Sequence, residues 1–177
     1  MITGVKGISN DSEDVLKYRH EAWQALAKLQ KDGLIRSIGV SNFVVKHLKE
    51  LKNVSNIVPS LNQVEWHPKS RDYDLLNYCK DNNIVLQAYS SLGSYNTTLR
   101  NDPKVSQIAV DLEKSPSQVL LRWASQNGIA IIPKATSKKH MDENMNLNFV
   151  IPEIHMETLN GFEQLVSLFN RSPSDII

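Results

Sequence analysis

Residues 34–52 read LIRSIGVSNFVVKHLKELK, and a change of rhythm inside that stretch decides the fold. Leu34 to Asn42 is short, rich in β-branched residues and bounded by Gly33 and polar groups, which is the pattern of a strand. From Phe43 to Lys52 the apolar positions move to helical spacing through Leu48 and Leu51. The same strand-then-helix rhythm recurs downstream. Pro59–Trp66 (PSLNQVEW) reads as a second strand, closed by His67-Pro68, and Ser70 is expected to cap the helix that carries Tyr73, Leu76 and Cys79. Ile84–Leu92 (IVLQAYSSL) is a third strand, followed by a polar loop from Gly93 to Asp102 and a helix over about 104–113. Ser115-Pro116-Ser117-Gln118 joins a capping box to a proline at the first helical position, the strongest local signal in the chain. Its helix runs to Gln126, with Gly128 as the stop.

A fourth strand, Ile129–Ala135 (IAIIPKA), has Pro133 near its end, where a missing N–H is tolerated. Helices over 137–145 and about 152–169 complete the pattern, and the tail from Asn170 is expected to fray. Upstream, Asn10, Asp11 and Ser12 are candidate caps for a helix over about 12–31, with Leu16, Trp23, Leu26 and Leu29 at helical spacing and Gly33 ending it. Regular alternation of strands and helices implies an α/β fold with a parallel sheet and right-handed crossovers. The strands are nearly all apolar, as expected when both sheet faces are covered. Residues 1–177 are expected to form a single domain.

Composition narrows the function. Twenty Lys+Arg against 19 Asp+Glu leave a net charge of +1, which argues against a nucleic-acid partner. The 41% apolar content with 7 Gly and 7 Pro excludes low complexity. The single cysteine, Cys79, excludes a disulfide framework and reads as a small buried hydrophobe. His20, His47, His140 and His155 have no metal-ligand spacing. No apolar run is long enough for a membrane helix, and Met1–Gly7 lacks an apolar signal core, so a cytoplasmic location is expected, with no membrane partner.

In parallel α/β folds, ligands sit at the C-terminal ends of strands. The four strands end in Ser41-Asn42, in Asn62-Gln63 with Glu65, in Tyr89-Ser90-Ser91, and in Lys134-Ala135-Thr136. These hydrogen-bonding groups on apolar stems suit a polar, aromatic, phosphorylated ligand. Asn42 and Gln63 offer amide donors and acceptors to a carboxamide. Tyr89 can stack on a flat ring. Ser90, backbone N–H groups near Gly93, and Lys134 beside the helix start at Ser137 can receive phosphate. Each residue also has a plainer reading. Taken singly, Ser41-Asn42 is more often a helix cap, Gln63 and Glu65 ordinary strand residues, Tyr89 a core tyrosine and Lys134 a snorkelling lysine; it is their shared sheet edge that favours the ligand reading. His67 before Pro68 reads as turn chemistry.

Four ordered motifs, Ile38-Gly39-Val40-Ser41-Asn42-Phe43, Asn62-Gln63-Val64-Glu65-Trp66-His67-Pro68, Ala88-Tyr89-Ser90-Ser91-Leu92-Gly93 and Ile131-Ile132-Pro133-Lys134, resemble those of the aldo-keto reductases. The resemblance covers about residues 4–162. It implies a TIM-type (β/α)8 barrel, here incomplete with about four βα units, and reduction of aldehydes or ketones with NADP, NAD being the alternative cofactor. By motif, Ser41, Asn42 and Gln63 resemble the residues that hold the nicotinamide carboxamide. Tyr89 resembles the tyrosine stacked on the nicotinamide. Ser90, Leu92 and Ser94 resemble the pyrophosphate loop. Lys134, Thr136, Glu143 and Asn144 resemble the adenosine and 2′-phosphate site.

The chain departs from the family pattern at Ala135, where serine is usual, and at His140, which aligns with the arginine on the 2′-phosphate; Lys138 and Lys139 are the candidates to compensate. No catalytic residue is assigned. Tyr18, Tyr73, Tyr78 and Tyr95 lie outside the motif positions, none beside an evident lysine that would tune it as a general acid. The expectation is a truncated oxidoreductase lacking the catalytic tetrad, weak or inactive alone, with a small carbonyl substrate only if completed. The alternative is a non-catalytic nucleotide-binding or self-associating half-barrel, a homodimer through exposed strand edges.

Overall fold

The computed structural model describes residues 13–93 and 98–164. The elements are α1 (Glu13–Lys31), β1 (Val40–Ser41), α2 (Val45–Val54), β2 (Leu61–Glu65), α3 (Tyr73–Asp81), β3 (Val85–Tyr89), α4 (Pro103–Asp111), α5 (Pro116–Gln126), β4 (Ala130–Ile131), α6 (Lys138–Met145) and α7 (Glu153–Asn160). The strands form a four-stranded sheet in the order β1-β2-β3-β4. β1 runs parallel to β2 with Val40 opposite Asn62, and β3 parallel to β4 with Gln87 opposite Ala130. This is the α/β architecture that the alternating rhythm implies. By contacts the chain divides into two compact units, one over residues 13–64 and 72–86, the other over 65–71 and 87–164 of the described chain.

In the first unit, α1 packs against α2. Trp23 is buried on α1, and its indole N–H donates to Ser55 Oγ at 3.0 Å. Arg19 is also buried. It donates to Glu50 Oε2 at 2.9 Å and lies 5.4 Å from the centre of the Phe43 ring. Its cost of burial is offset by that ion pair and by the ring face. Gly33, at φ 74, lets the chain leave α1 in the left-handed region. Leu48 and Leu51 of α2, and Leu75, Leu76 and Cys79 of α3, complete the core.

In the second unit, α5 carries the core. Ser115 Oγ accepts from Gln118 N, and Gln118 Oε1 accepts from Ser115 N, the capping box that the sequence encodes. Val119, Leu120, Leu121, Trp123 and Ala124 are buried behind it. The Trp123 ring stacks on Trp66 with centres 6.3 Å apart, and its N–H donates to Asn160 Oδ1 at 2.8 Å, which pins the end of α7. Gln126 exchanges two hydrogen bonds with the backbone of Ile151.

Several expectations are corrected. The first strand shrinks from 34–42 to Val40–Ser41 because its partner begins only at Leu61; upstream, Ile38 O still accepts from Ser60 N at 2.9 Å. The fourth shrinks to Ala130–Ile131, with Pro133, which lacks an N–H, inside the irregular stretch that follows. Ser70 does not cap α3. It exchanges backbone hydrogen bonds with His67, and Asp72 caps the helix by accepting from Leu75 N. The strands are not covered on both faces among the described residues. Asn62, Val64, Leu86 and Ala88 are buried, whereas Leu61, Gln63, Gln87 and Tyr89 are half-buried and Val85 is exposed. The last helix ends at Asn160 rather than Phe169. Candidate caps Asn10, Asp11 and Ser12, site candidate Ser94, Tyr95 and the tail lie outside the described residues.

Candidate functional site

Three predicted residues meet at the C-terminal ends of β1 and β2. Ser41 sits opposite Gln63 in the ladder, and its hydroxyl donates to Gln63 O at 3.0 Å. Asn42 N donates to the same carbonyl at 2.9 Å. Asn42 has φ 58, a left-handed conformation that non-glycine residues adopt at a cost of about 1 kcal/mol and that asparagine tolerates best. The turn is fixed from the neighbouring strand. Asn62, fully buried, accepts from Phe43 N at 3.3 Å and donates to Phe43 O at 2.8 Å.

Gly39 permits the close approach of the two strands. A Cβ there would stand 2.8 Å from Leu61 O, so a side chain would push the strands apart. Gly39, Ser41 and Gln63 line a cavity of about 250 Å³, closed by Arg19, Trp23 and Phe43. That is below the range of about 300–1,000 Å³ for drug-sized ligands, so this cavity suits one end of a dinucleotide and not the whole. The donor set fits a carboxamide. The Ser41 hydroxyl and the side-chain amides of Asn42 and Gln63 are neutral and can both donate and accept.

The second unit holds the other candidates. Tyr89, half-buried at the end of β3, accepts through its carbonyl from Trp66 N at 3.3 Å. Ser90 follows at φ 52, a second non-glycine left-handed residue at a strand end, and Gly93 N closes the turn on Ser90 O at 2.8 Å. Ser91 is buried and anchors the turn by donating to Ala88 O. Leu92 is half-buried. Lys134 and Thr136 are exposed in the segment leading to α6, whose N-cap Ser137 accepts from His140 N at 3.2 Å. Glu143 and Asn144 are half-buried on α6. Lys138 and Lys139 are not loose cations. They reach Asp142 at 2.6 Å and Glu143 at 3.9 Å, exposed pairs of small energetic weight.

Buried polar groups nearby have structural duties. His67 Nδ1 accepts from Lys69 N, so Nε2 carries the proton toward Glu65 Oε1, 3.3 Å away. This bears out the reading of His67 as turn chemistry. Cys79 is buried, its side chain hydrogen-bonds to Asn62, and burial pushes the thiol up to about 11. The Tyr78 hydroxyl makes no hydrogen bond, although Lys49 and Lys52 lie near its ring. No cluster of three or more His, Cys, Asp or Glu that could hold a metal occurs among the described residues. No helix there is long and apolar enough to cross a membrane. The sequence places Asn62 among the strand-end groups open to a ligand, whereas it is buried and bonded to Phe43, and it gives Gly39 no role. The signal was a glycine inside a strand and an amide on the face that the helices bury.

Comparison with known proteins gives the class. The Aldo/keto reductase family pattern matches residues 9–164. The chain is 40% identical over 149 residues to the glyoxal reductase of Bacillus subtilis, covering 84% of this chain and 53% of that protein. It is 43% identical over 155 residues to the NAD(P)H-dependent D-xylose reductase of Scheffersomyces stipitis, covering 81% and 48%. A solved complex of a Gox0644 variant with NADPH superposes with a TM-score of 0.79 at 32% identity, covering 87% of this chain and 56% of that one. The chain belongs to the aldo/keto reductase family. It spans about half the length of the relatives it matches, in keeping with an incomplete barrel.

Proposed function

We propose that this chain supplies the cofactor-holding part of an NADP-dependent reductase of small aldehydes or ketones, with NAD as the alternative cofactor. The observation that carries the reading is Ser41 and Gln63 lining one strand-end cavity, with Asn42 held left-handed beside them by its bond to Gln63 O. The Asn42 and Gln63 amides would orient the carboxamide, and the Ser41 hydroxyl would accept from it. The Tyr89 ring would cover one ring face, leaving the other for reaction. Ser90, Leu92 and Ser94 are assigned to the pyrophosphate. Lys134, Thr136, Glu143 and Asn144 are assigned to the adenosine and its 2′-phosphate, where the lysine charge and the N-terminus of α6 favour an anion. Bound there, the nicotinamide would supply the hydride.

No residue is assigned as proton donor. Tyr18 is exposed, and the Tyr78 hydroxyl has no lysine bonded to it. A general acid is worth about 10²–10⁴-fold, so carbonyl reduction by this chain alone should be slow or absent. Calorimetry with NADP⁺ tests the reading. Saturable binding is expected, weakened about fivefold in Gln63→Leu; no heat of binding, or rapid NADPH-dependent turnover of a small aldehyde, would overturn it.

A second reading, self-association, is favoured by the edge positions of β1 and β4 in the sheet and by the exposure of Val85 and Ile132. Light scattering would detect a dimer, and a strictly monomeric solution would dismiss it.

A further inference from the structure

We infer that Asn62 is a positioning residue for the nicotinamide end of the cofactor, acting through the backbone of the β1–α2 turn. The inference rests on the cofactor reading above.

Asn62 occupies a place on β2 whose side chain faces away from the cavity and is fully buried. An amide has two polar ends, and both engage one residue: Oδ1 accepts from Phe43 N and Nδ2 donates to Phe43 O. A side chain here does what a neighbouring strand would do for Phe43. The consequence falls one residue upstream. Asn42 is caught between its own N–H, bonded to Gln63 O, and the peptide that follows it, bonded to Asn62. Its left-handed φ of 58 is therefore over-determined by two bonds from consecutive β2 residues. Strained dihedrals persist only under such restraint. With the bracket cut, Asn42 is free to relax toward the extended region, which swings its side chain away from a carboxamide held by Gln63. Asn62 also hydrogen-bonds the buried Cys79 side chain of α3, so the amide is itself fixed from behind.

The test separates positioning from general structural support by using two probes. NADP⁺ engages both ends of the site, whereas 2′,5′-ADP carries the adenosine and phosphates without the nicotinamide. In Asn62→Leu, which keeps the volume and removes both hydrogen bonds, NADP⁺ affinity should fall about tenfold while 2′,5′-ADP affinity stays within twofold. Equal losses for both probes, or no loss for either, would overturn the inference. Amide hydrogen exchange on the unaltered protein guards against a variant that does not fold. NADP⁺ should slow exchange at Phe43 severalfold and 2′,5′-ADP should not; indifference of Phe43 to both would sink the proposal. Should the unaltered protein bind neither probe, the cofactor reading fails first and this inference falls with it, an outcome distinct from binding that ignores Asn62.

Discussion

The β1–β2 strand ends and the 134–144 segment are both assigned to one cofactor, yet they are built on opposite principles. At the strand ends, Ser41, Asn42 and Gln63 are tied by hydrogen bonds of 2.9–3.0 Å, and the buried Asn62 brackets the turn. In the other segment, Lys134 and Thr136 are exposed, and the cations of α6 meet carboxylates one turn away in solvent. The first arrangement gives geometric precision, because a buried polar group without its partner is expensive. The second gives charge, which acts at longer range, is screened by salt and tolerates mobility.

The comparison can be broken most forcefully at Gly39. Gly39→Val puts a side chain against Leu61 O, and overpacking of that kind costs about 1–3 kcal/mol. Urea denaturation should report that loss together with a loss of NADP⁺ binding. Next in size, Gln63→Leu and Lys134→Ala should each weaken NADP⁺ by about 1 kcal/mol, but with different salt dependence. Binding titrations at low and high salt should give parallel lines for Gln63→Leu and the unaltered protein, and a shallower slope for Lys134→Ala. Equal slopes for all three would erase the contrast.

Ser137→Ala should act more locally. Loss of a cap costs about 1 kcal/mol, and on exposed α6 this should appear as faster amide exchange over 138–145 with little change in global melting. The smallest effect concerns Cys79, behind Asn62. Its thiol is held at about 11 in the folded chain, above the ordinary 9.0, so folding favours the protonated form. The stability this gives is complete below about pH 9 and is lost as pH rises toward 11. Melting curves across that window should fall less steeply for Cys79→Ala than for the unaltered protein.

Much of the molecule was legible as a string of residues. The capping box at Ser115 and the stop at Gly33 are local devices whose physics needs only neighbours within one turn. The alternation of strands and helices, and the placement of Ser41, Asn42, Gln63 and Tyr89 at strand ends, followed from the pattern and from the rule that parallel sheets bind ligands there. The misreadings were of another kind. An apolar run such as IAIIPKA declares that it prefers an extended form but cannot say where a partner strand stops, so β4 came out two residues long.

Sequence alone points to Ser70 as the cap, but the bridge between His67 and Ser70 engages its backbone, and Asp72 caps the helix instead. Family, element order and the chemistry available at each strand end are therefore written in the order of the amino acids, because they depend on periodicity and side-chain type. What only the folded chain decides is which groups become desolvated together. Asn62 is one amide among many until burial leaves Phe43 as the partner of both its ends; a hydrogen bond gains its directing power when water is excluded from it.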